Sequence, residues 1–151
     1  MVEPQRERID WNKYWFVGDI EGQHGFMRFV IERAPLGSIW VFDELWQSET
    51  IRVIEPWATR PLGNPPRHLF GLLSGAHDNV EVPLTAEAKK ALIPQLGKLL
   101  PKIHEIWTQR ILNGNRPFFV SYDTLNICWI TKEITKLKMT EAARRYGFYF
   151  D

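Results

Sequence analysis

Apolar and polar positions alternate in short runs over residues 10–57, and glycine or proline separates several of the runs. Four runs have the length and the aromatic or β-branched content of strands. They are YWFVGDI (14–20), GFMRFVIERA (25–34), SIWVFDELW (38–46) and TIRVIEPW (50–57). The segment 21–25 is bounded by glycines and is interpreted as a hairpin loop. These short connections predict an antiparallel meander.

In the second half of the chain, apolar residues are spaced as on one face of a helix. Residues 56–68 contain four of the ten prolines. We interpret them as a loop between the strand-like first part and the helix-like second part of the chain. From Thr85 to Leu112, apolar residues recur at intervals of three and four, which predicts a helical arm with Thr85 as its N-cap. The arm is expected to bend at its prolines and to stop at Asn113-Gly114.

The remaining elements follow this arm. RPFFVSY (116–122) is interpreted as a fifth strand. Residues 124–138 leave two alternatives, because their isoleucines fit one face of a helix while their β-branched density fits a strand; the helix is preferred. The chain ends MTEAARRYGFYFD, which predicts a last helix with Thr140 as N-cap, Gly147 as left-handed stop and Phe148 packed back on it.

These elements predict an α+β fold, in which an antiparallel sheet of four or five strands, mainly from the N-terminal half, packs against C-terminal helices. The chain has 151 residues, of which 44% are hydrophobic and 25% charged. This length and composition fit one globular domain over residues 1–151. The polar residues 1–9 are expected to be disordered.

Charge and hydropathy exclude several classes of function. The net charge is +1, so there is no overall field to attract nucleic acid. Although Arg144 and Arg145 resemble part of a DNA-reading helix pair, too few residues follow Gly147 for a recognition helix. No apolar run approaches the ~20 residues of a membrane span and no apolar leader is visible. We therefore expect a cytoplasmic protein that contacts neither nucleic acid nor membrane.

Catalytic and metal chemistry have little support. There is no nucleophile elbow and no phosphate-binding loop. The single cysteine, Cys128, lies in the apolar stretch NICWI and is expected to be buried and inert. Side chains suited to Zn or Fe occur at Asp19, Glu21, His24, His77 and Asp78. Their spacing matches no metal motif, so no catalytic residue, no metal and no cofactor are predicted.

The stretch WVFDELWQSE (40–49) combines aromatic residues with acids. It lies within residues 19–55, where seven acids face three bases for a net charge of −4. The residues expected to form a partner surface are Asp43, Glu44, Trp46 and Glu49. We therefore predict a non-enzymatic protein-binding module with a basic partner, most concretely a toxin-neutralising immunity protein or similar inhibitor. The alternative is a small hydrolase or nuclease that uses carboxylates and histidines on loops. The oligomeric state is left open.

Overall fold

The protein is described by a computed structural model over residues 9–45, 48–62, 68–69, 72–73, 77–99, 108–122 and 125–151. Its elements are, in chain order, β1 (Tyr14–Gly18), α1 (Gln23–Arg33), β2 (Ile39–Leu45), α2 (Ser48–Ile54), β3 (His68–Leu69), β4 (Leu72–Leu73), β5 (His77–Pro83), α3 (Ala86–Leu92), α4 (Leu96–Leu99), β6 (Gln109–Asn113), β7 (Arg116–Tyr122), β8 (Ile127–Thr131), α5 (Lys136–Tyr146) and β9 (Tyr149–Phe150). Short 3-10 helices lie at Trp11–Lys13, Glu55–Trp57 and Ile93–Gln95. Among the described helices, none is long and apolar enough to cross a membrane.

Seven strands form one antiparallel sheet in the order β5-β2-β6-β7-β8-β1-β9, and β3 pairs with β4 separately. The α+β class is confirmed, but the predicted sheet of four or five strands is wrong. Strands β5, β6 and β9 were missed, β8 lies where a helix was preferred to a strand, and two predicted strands are helices. The expected N-terminal meander is also wrong, because β1 and β2 are not neighbours and the sequential hairpins are β6-β7 and β7-β8.

Helix α1 replaces the predicted second strand at 25–34, and its first turn replaces part of the hairpin loop at 21–25. Its buried residues, spread over nearly two turns, are Phe26, Met27, Phe29, Val30 and Ile31. The glycines around its start serve close packing rather than a turn. A Cβ on Gly25 would lie 2.4 Å from the Tyr146 ring, and one on Gly22 would lie 2.9 Å from the Tyr146 carbonyl oxygen.

Helix α2 replaces the predicted fourth strand at 50–57. Ile51 and Ile54 are buried while Arg52 is exposed, which is the i, i+3 spacing of a helix face. A 3-10 helix continues the turn through Glu55–Trp57, where proline is tolerated in the first positions. The alternation seen in the sequence was therefore produced by a short amphipathic helix.

The helical arm predicted from Thr85 to Leu112 is only partly correct. Thr85 caps α3, since its Oγ1 accepts a hydrogen bond from the backbone N–H of Ala88 at 3.1 Å. The second proline, Pro101, belongs to residues 100–107, which lie outside the described residues. The last part of the arm is strand β6, and Gly114, with a φ of +61°, helps to turn the chain into β7.

The predictions for the C-terminal part of the chain are also partly correct and partly wrong. Strand β7 matches the predicted strand at 116–122. The preference for a helix over 124–138 is wrong for residues 127–131, which form β8, whereas α5 begins at Lys136. Its N-cap is Thr135, whose side chain accepts from Lys138 N, so the prediction of Thr140 as cap is wrong. Gly147 is confirmed as the left-handed stop, with a φ of +69°.

The two faces of the sheet differ in what covers them. Cross-strand partners place Trp40, Ile111, Phe119, Ile130 and Trp15 in one row across β2, β6, β7, β8 and β1. These residues pack into one core with buried residues of α1, α2, α3, α4 and α5. The neighbouring row, on the opposite face, is Val41, Arg110, Val120, Trp129 and Phe16. Val41 and Val120 are buried but do not belong to the helix-packed core. We call the face that carries this second row the open face.

Candidate functional site

A groove with a volume of about 1560 Å³ runs over the open face. Its walls come from strands, from the turns after β6 and β8, and from the segment before β1; no described residue of α1 to α5 lines it. The lining residues are Ile9, Asp10, Asn12, Lys13, Tyr14, Asp43, Asn79, Arg110, Leu112, Asn113, Gly114, Asn115, Arg116, Pro117, Phe118, Tyr122, Thr131, Lys132 and Glu133. Small-molecule pockets usually enclose roughly 300–1,000 Å³, so this groove is larger and more open than such a pocket.

An ion pair lies in the groove between neighbouring strands. Arg110 on β6 and Asp43 on β2 meet with Nη2 and Oδ1 2.9 Å apart, and both side chains are partly exposed. The Nε of Arg110 is buried and, in the part of the chain that the structure describes, has no hydrogen-bond partner. The contact neutralises the acid at Asp43, so this part of the groove carries no net negative charge.

Strand β5 is irregular at the edge of the groove beside this ion pair. Its register with β2 runs from Phe42–Val80 to Glu44–Asp78, and Asn79 between them has a φ of +49°. Asparagine is one of the few residues with a side chain that adopts this region readily. Arg60 supports the neighbouring backbone by donating from Nη2 to the carbonyl oxygen of Asp78 at 2.7 Å. The irregularity therefore lies at the rim of the candidate site, where such departures are frequent.

Tyr14 lies near the other end of the groove. Its hydroxyl donates to the carbonyl oxygen of Pro117 at 2.7 Å, which ties β1 to the start of β7. Burial raises the pKa of the Tyr14 phenol, the negative charge of Glu133 raises it further, and the positive charge of Arg116 opposes them. Both charges therefore lie within electrostatic reach of the phenol, which keeps its proton and its role as a hydrogen-bond donor at neutral pH.

Aromatic rings cover the open face beside Tyr14. The ring of Trp11 lies 4.6 Å from that of Trp129 and 5.8 Å from that of Tyr14, and Phe16 meets Trp129 edge to face at 5.2 Å. Trp11 remains 36% exposed. Such ring contacts add about 0.5–1.5 kcal/mol per pair to the free energy of area burial, so the cluster forms a firm apolar surface.

Further apolar side chains of the open face reach solvent. Tyr122 and Ile127 are cross-strand partners on β7 and β8, with exposures of 39% and 42%. Tyr149 on β9 is 56% exposed and lies opposite Gly18, which has no side chain to cover it. Exposed apolar groups that share one face, rather than occurring singly, are typical of an interaction surface.

Three cations lie where the groove passes between the starts of β1 and β7 and the end of β8. They are Lys13, Arg116 and Lys132. Lys132 donates its backbone N–H to the carbonyl oxygen of Lys13 at 2.9 Å, which holds these two residues side by side. The Lys132 ammonium group lies 4.7 Å from the centre of the Trp15 ring. Because Trp15 packs on the helix-covered face of the sheet, the charge of Lys132 lies on that side and not in the groove. None of the three forms an ion pair with another described residue.

The four residues predicted to form a partner surface do not all meet in the groove. Asp43 lines it, whereas Glu44 is exposed and belongs to the opposite face of β2, as the alternation of a strand requires. Glu49 is exposed in the first turn of α2, and Trp46 lies outside the described residues. A shared surface of Glu44, Trp46 and Glu49 stays a prediction.

The candidate metal ligands are placed differently from the expected hairpin. Asp19 and Glu21 precede α1, and Glu21 donates its backbone N–H to the carbonyl oxygen of Gly147 at 2.7 Å. His24 lies in the first turn of α1, and Asp78 is on β5. Among the described residues, no group of three or more His, Cys, Asp or Glu side chains is arranged to hold a metal ion.

The prediction that Cys128 is buried is confirmed. The thiol is fully enclosed on the core face, and Sγ lies 3.4 Å from the carbonyl oxygen of Leu125, to which it donates. Burial raises the pKa of the Cys128 thiol to about 12. A thiol with this pKa is protonated at neutral pH and is a poor nucleophile.

No protein-family model, curated protein or solved structure matches the chain. The case for a function therefore depends on the residues of the groove. Sequence reasoning missed most of them, including Arg110, Arg116 and Tyr14. For Arg110, the alternation in QRILN (109–113) was a usable signal, because it places Arg110 and Leu112 on one face of a strand and Gln109 and Ile111 on the other.

Proposed function

We propose that the protein is a non-enzymatic binding module that holds part of a partner protein in the groove of the open face. One observation carries this proposal: helices cover one face of the sheet, while the other carries a groove lined in part by exposed Tyr122, with exposed Trp11 and Ile127 on the same face. Aromatic side chains at an interface dominate affinity, because they bury a large area and lose little conformational entropy.

The concrete form of the proposal is an immunity protein or similar inhibitor that neutralises a toxin by covering its surface. The small size of the chain and its α+β class support this version by association. The groove supports binding rather than chemistry, because its ion pair is already formed and its phenol keeps its proton. The acids and histidines named for a hydrolase or nuclease, Asp19, Glu21, His24 and Asp78, do not line the groove, so no observation favours that alternative.

The test is site-specific crosslinking in the cells that make the protein. A photo-reactive amino acid at Tyr122 should capture one defined protein, whereas the same group at Leu137, which is exposed on α5, should not. With that protein purified, Ile127→Asp should weaken binding about 10-fold to 100-fold, since it places a charge in an apolar contact. Leu137→Asp is the matched control and should leave affinity unchanged. Equal crosslinking from both positions, or an unaltered affinity of Ile127→Asp, would overturn the proposal.

A further inference from the structure

We infer that the ring of Trp11 occupies a binding site for a tryptophan side chain of the partner, which displaces Trp11 when the partner binds. The inference rests on the proposed function and names one residue type that the partner presents. The site is the aromatic floor formed by Tyr14, Phe16 and Trp129 on the open face, and we call it the ring site. It adjoins the groove, because Tyr14 belongs to both.

The floor of the ring site is held by the sheet. Phe16 and Trp129 are cross-strand partners on β1 and β8, and their rings meet edge to face at 5.2 Å. Tyr14 lies on the same face of β1, two residues before Phe16. The Tyr14 hydroxyl donates to the carbonyl oxygen of Pro117 at 2.7 Å. The positions of these three rings therefore do not depend on Trp11.

Trp11 is attached to this floor through its side chain. It lies on the short 3-10 helix before β1, and the hydrogen bonds that the structure describes for residues 10–12 reach no further than Tyr14. Lys13 is the first residue of this segment that is bonded to another strand, since its carbonyl oxygen accepts from the N–H of Lys132 at 2.9 Å. Moving the turn away from the sheet therefore breaks no described bond to a distant strand.

The hydrogen bonds of the indole groups distinguish Trp11 from tryptophans on the helix-covered face. Nε1 of Trp15 donates to the carbonyl oxygen of Ile134 at 2.9 Å, and Nε1 of Trp40 donates to Gln109 at 2.9 Å. The indole of Trp11 donates to no residue that the structure describes, and Trp11 is 36% exposed. Its ring contacts favour the seated position by roughly twofold to tenfold each, beyond the burial of area.

A ring seated in this way shows what the floor binds and is also a competitor that a partner can displace. The centre of the Trp11 ring lies 4.6 Å from that of Trp129, tilted by 40°, and 5.8 Å from that of Tyr14 at 64°. A tryptophan of the partner would make the same contacts. Further contacts in the groove, at Tyr122, would add affinity that Trp11 lacks, and tryptophan is enriched among the residues that dominate affinity at interfaces.

Charge does not select the partner at this end of the groove. Asp10 and Glu133 contribute two negative charges, while Lys13 and Arg116 contribute two positive charges. A neutral rim disfavours single-stranded nucleic acid, which needs cations along its backbone. Selection at the ring site therefore depends on the ring itself. The basic partner predicted from residues 19–55 stays a prediction that this site does not test.

The experiment uncovers the ring site in the full chain and offers it a free ring. The ¹⁵N-labelled chain has seven tryptophans and therefore seven indole N–H signals, of which Trp11→Ala removes one. N-acetyltryptophanamide should shift the signals of Phe16 and Trp129 in Trp11→Ala. The wild type should need about tenfold more of this probe, because the tethered ring competes with it. N-acetylleucinamide is the matched probe and should shift these signals much less.

Variants locate the response. Leu137→Ala, at an exposed apolar residue of α5, is the matched control and should respond as the wild type does. Trp11→Phe keeps a ring on the floor and should lie between the wild type and Trp11→Ala. Adding Trp129→Leu to Trp11→Ala removes the floor and should abolish the response. If Trp11→Ala does not fold, Trp11→Leu replaces it, because leucine keeps apolar cover on the sheet but offers no ring.

The partner gives a second measurement. For the protein captured by crosslinking from Tyr122, Trp11→Ala should strengthen binding about tenfold, since no tethered ring has to be displaced. Leu137→Ala should leave that affinity unchanged. Weaker binding by Trp11→Ala would mean that Trp11 contacts the partner itself, and it would overturn the inference while leaving the proposed function standing.

The probes distinguish the other occupants. An equal response of Trp11→Ala and the wild type to N-acetyltryptophanamide overturns the ring site and leaves the proposed function standing. Stronger shifts from an oligothymidylate than from the tryptophan probe overturn the protein occupant. A Trp11 signal that shifts with the concentration of the wild-type chain alone assigns the site to a second copy and overturns a tryptophan from another protein. If Tyr122 captures no partner, the proposed function is lost, and the probes still decide the ring site.

Discussion

Replacing Gly25 with alanine should destabilise the protein, although alanine is the better helix former. Within α1 the substitution would gain about 1 kcal/mol of helix propensity. The added Cβ would lie 2.4 Å and 2.5 Å from Cδ1 and Cε1 of Tyr146, well inside contact distance. Overpacking of this kind costs about 1–3 kcal/mol. The backbone of Tyr146 cannot yield easily, because its carbonyl oxygen accepts from Gly22 N at 2.7 Å. The expected net loss is about 1 kcal/mol.

Thermal unfolding measures this loss, and about 1 kcal/mol corresponds to a decrease in Tm of about 2–4 °C for a chain of this size. Gly97→Ala in α4 is the control, because no atom lies within 4 Å of its added Cβ, and it should raise Tm. In a Tyr146→Ala background, Gly25→Ala should no longer destabilise, and the difference between the two backgrounds measures the clash. The reasoning is refuted if Gly25→Ala raises Tm as much as Gly97→Ala does.

Three further predictions concern the C-terminal part of the chain. Cys128 should react with a thiol reagent at neutral pH only as fast as the protein opens, since its pKa is about 12 and it is fully enclosed; rapid labelling of the native protein would contradict this. Thr135→Ala should cost about 1 kcal/mol in chemical denaturation through loss of the helix cap, whereas Thr140→Ala should cost much less, and the reverse order would restore the cap predicted from sequence. Phe148→Ala should cost about 1–3 kcal/mol in the same assay, because its ring meets that of Phe26 at 5.2 Å, and an unchanged midpoint would show that this contact is not stabilising.

Local signals were sufficient where one short stretch determines its own structure. Strand β7 was predicted from RPFFVSY, and the cap at Thr85 and the stop at Gly147 were predicted from residue types that favour those positions. In each case the preference depends on a few neighbouring residues. These predictions did not require knowledge of what packs against the segment.

The errors at α1 and α2 arose because a short apolar run is compatible with both the spacing of apolar residues in a strand and their spacing in a helix. In α1, five of the six residues from Phe26 to Ile31 are buried, so both a strand and a helix fit the pattern. The choice depends on packing against a distant residue. Tyr146 fills the space beside Gly22 and Gly25, and nothing in the first half of the sequence indicates that contact.

The candidate site was recognised at one residue for a similar reason. Asp43 was predicted as a binding residue because it is an acid in an aromatic strand. Its partner Arg110 lies 67 positions away, in a segment that was interpreted as a helix. At the other end of the groove, Tyr14 and Pro117 are 103 positions apart. Sheet order brings these pairs together, and sheet order cannot be read from the alternation within one strand.

Strand β6 shows why the groove depends on the core beneath it. Gln109 points into the core and accepts a hydrogen bond from Nε1 of Trp40 at 2.9 Å, while the next residue, Arg110, points into the groove and pairs with Asp43. A shift of one residue between β2 and β6 would move Arg110 into the core and leave Trp40 without its acceptor, so the buried bond opposes the shift. The position of the charged pair in the groove is thus fixed from the opposite face of the same strand. A change in the core that frees this register would alter the groove without touching any residue that lines it.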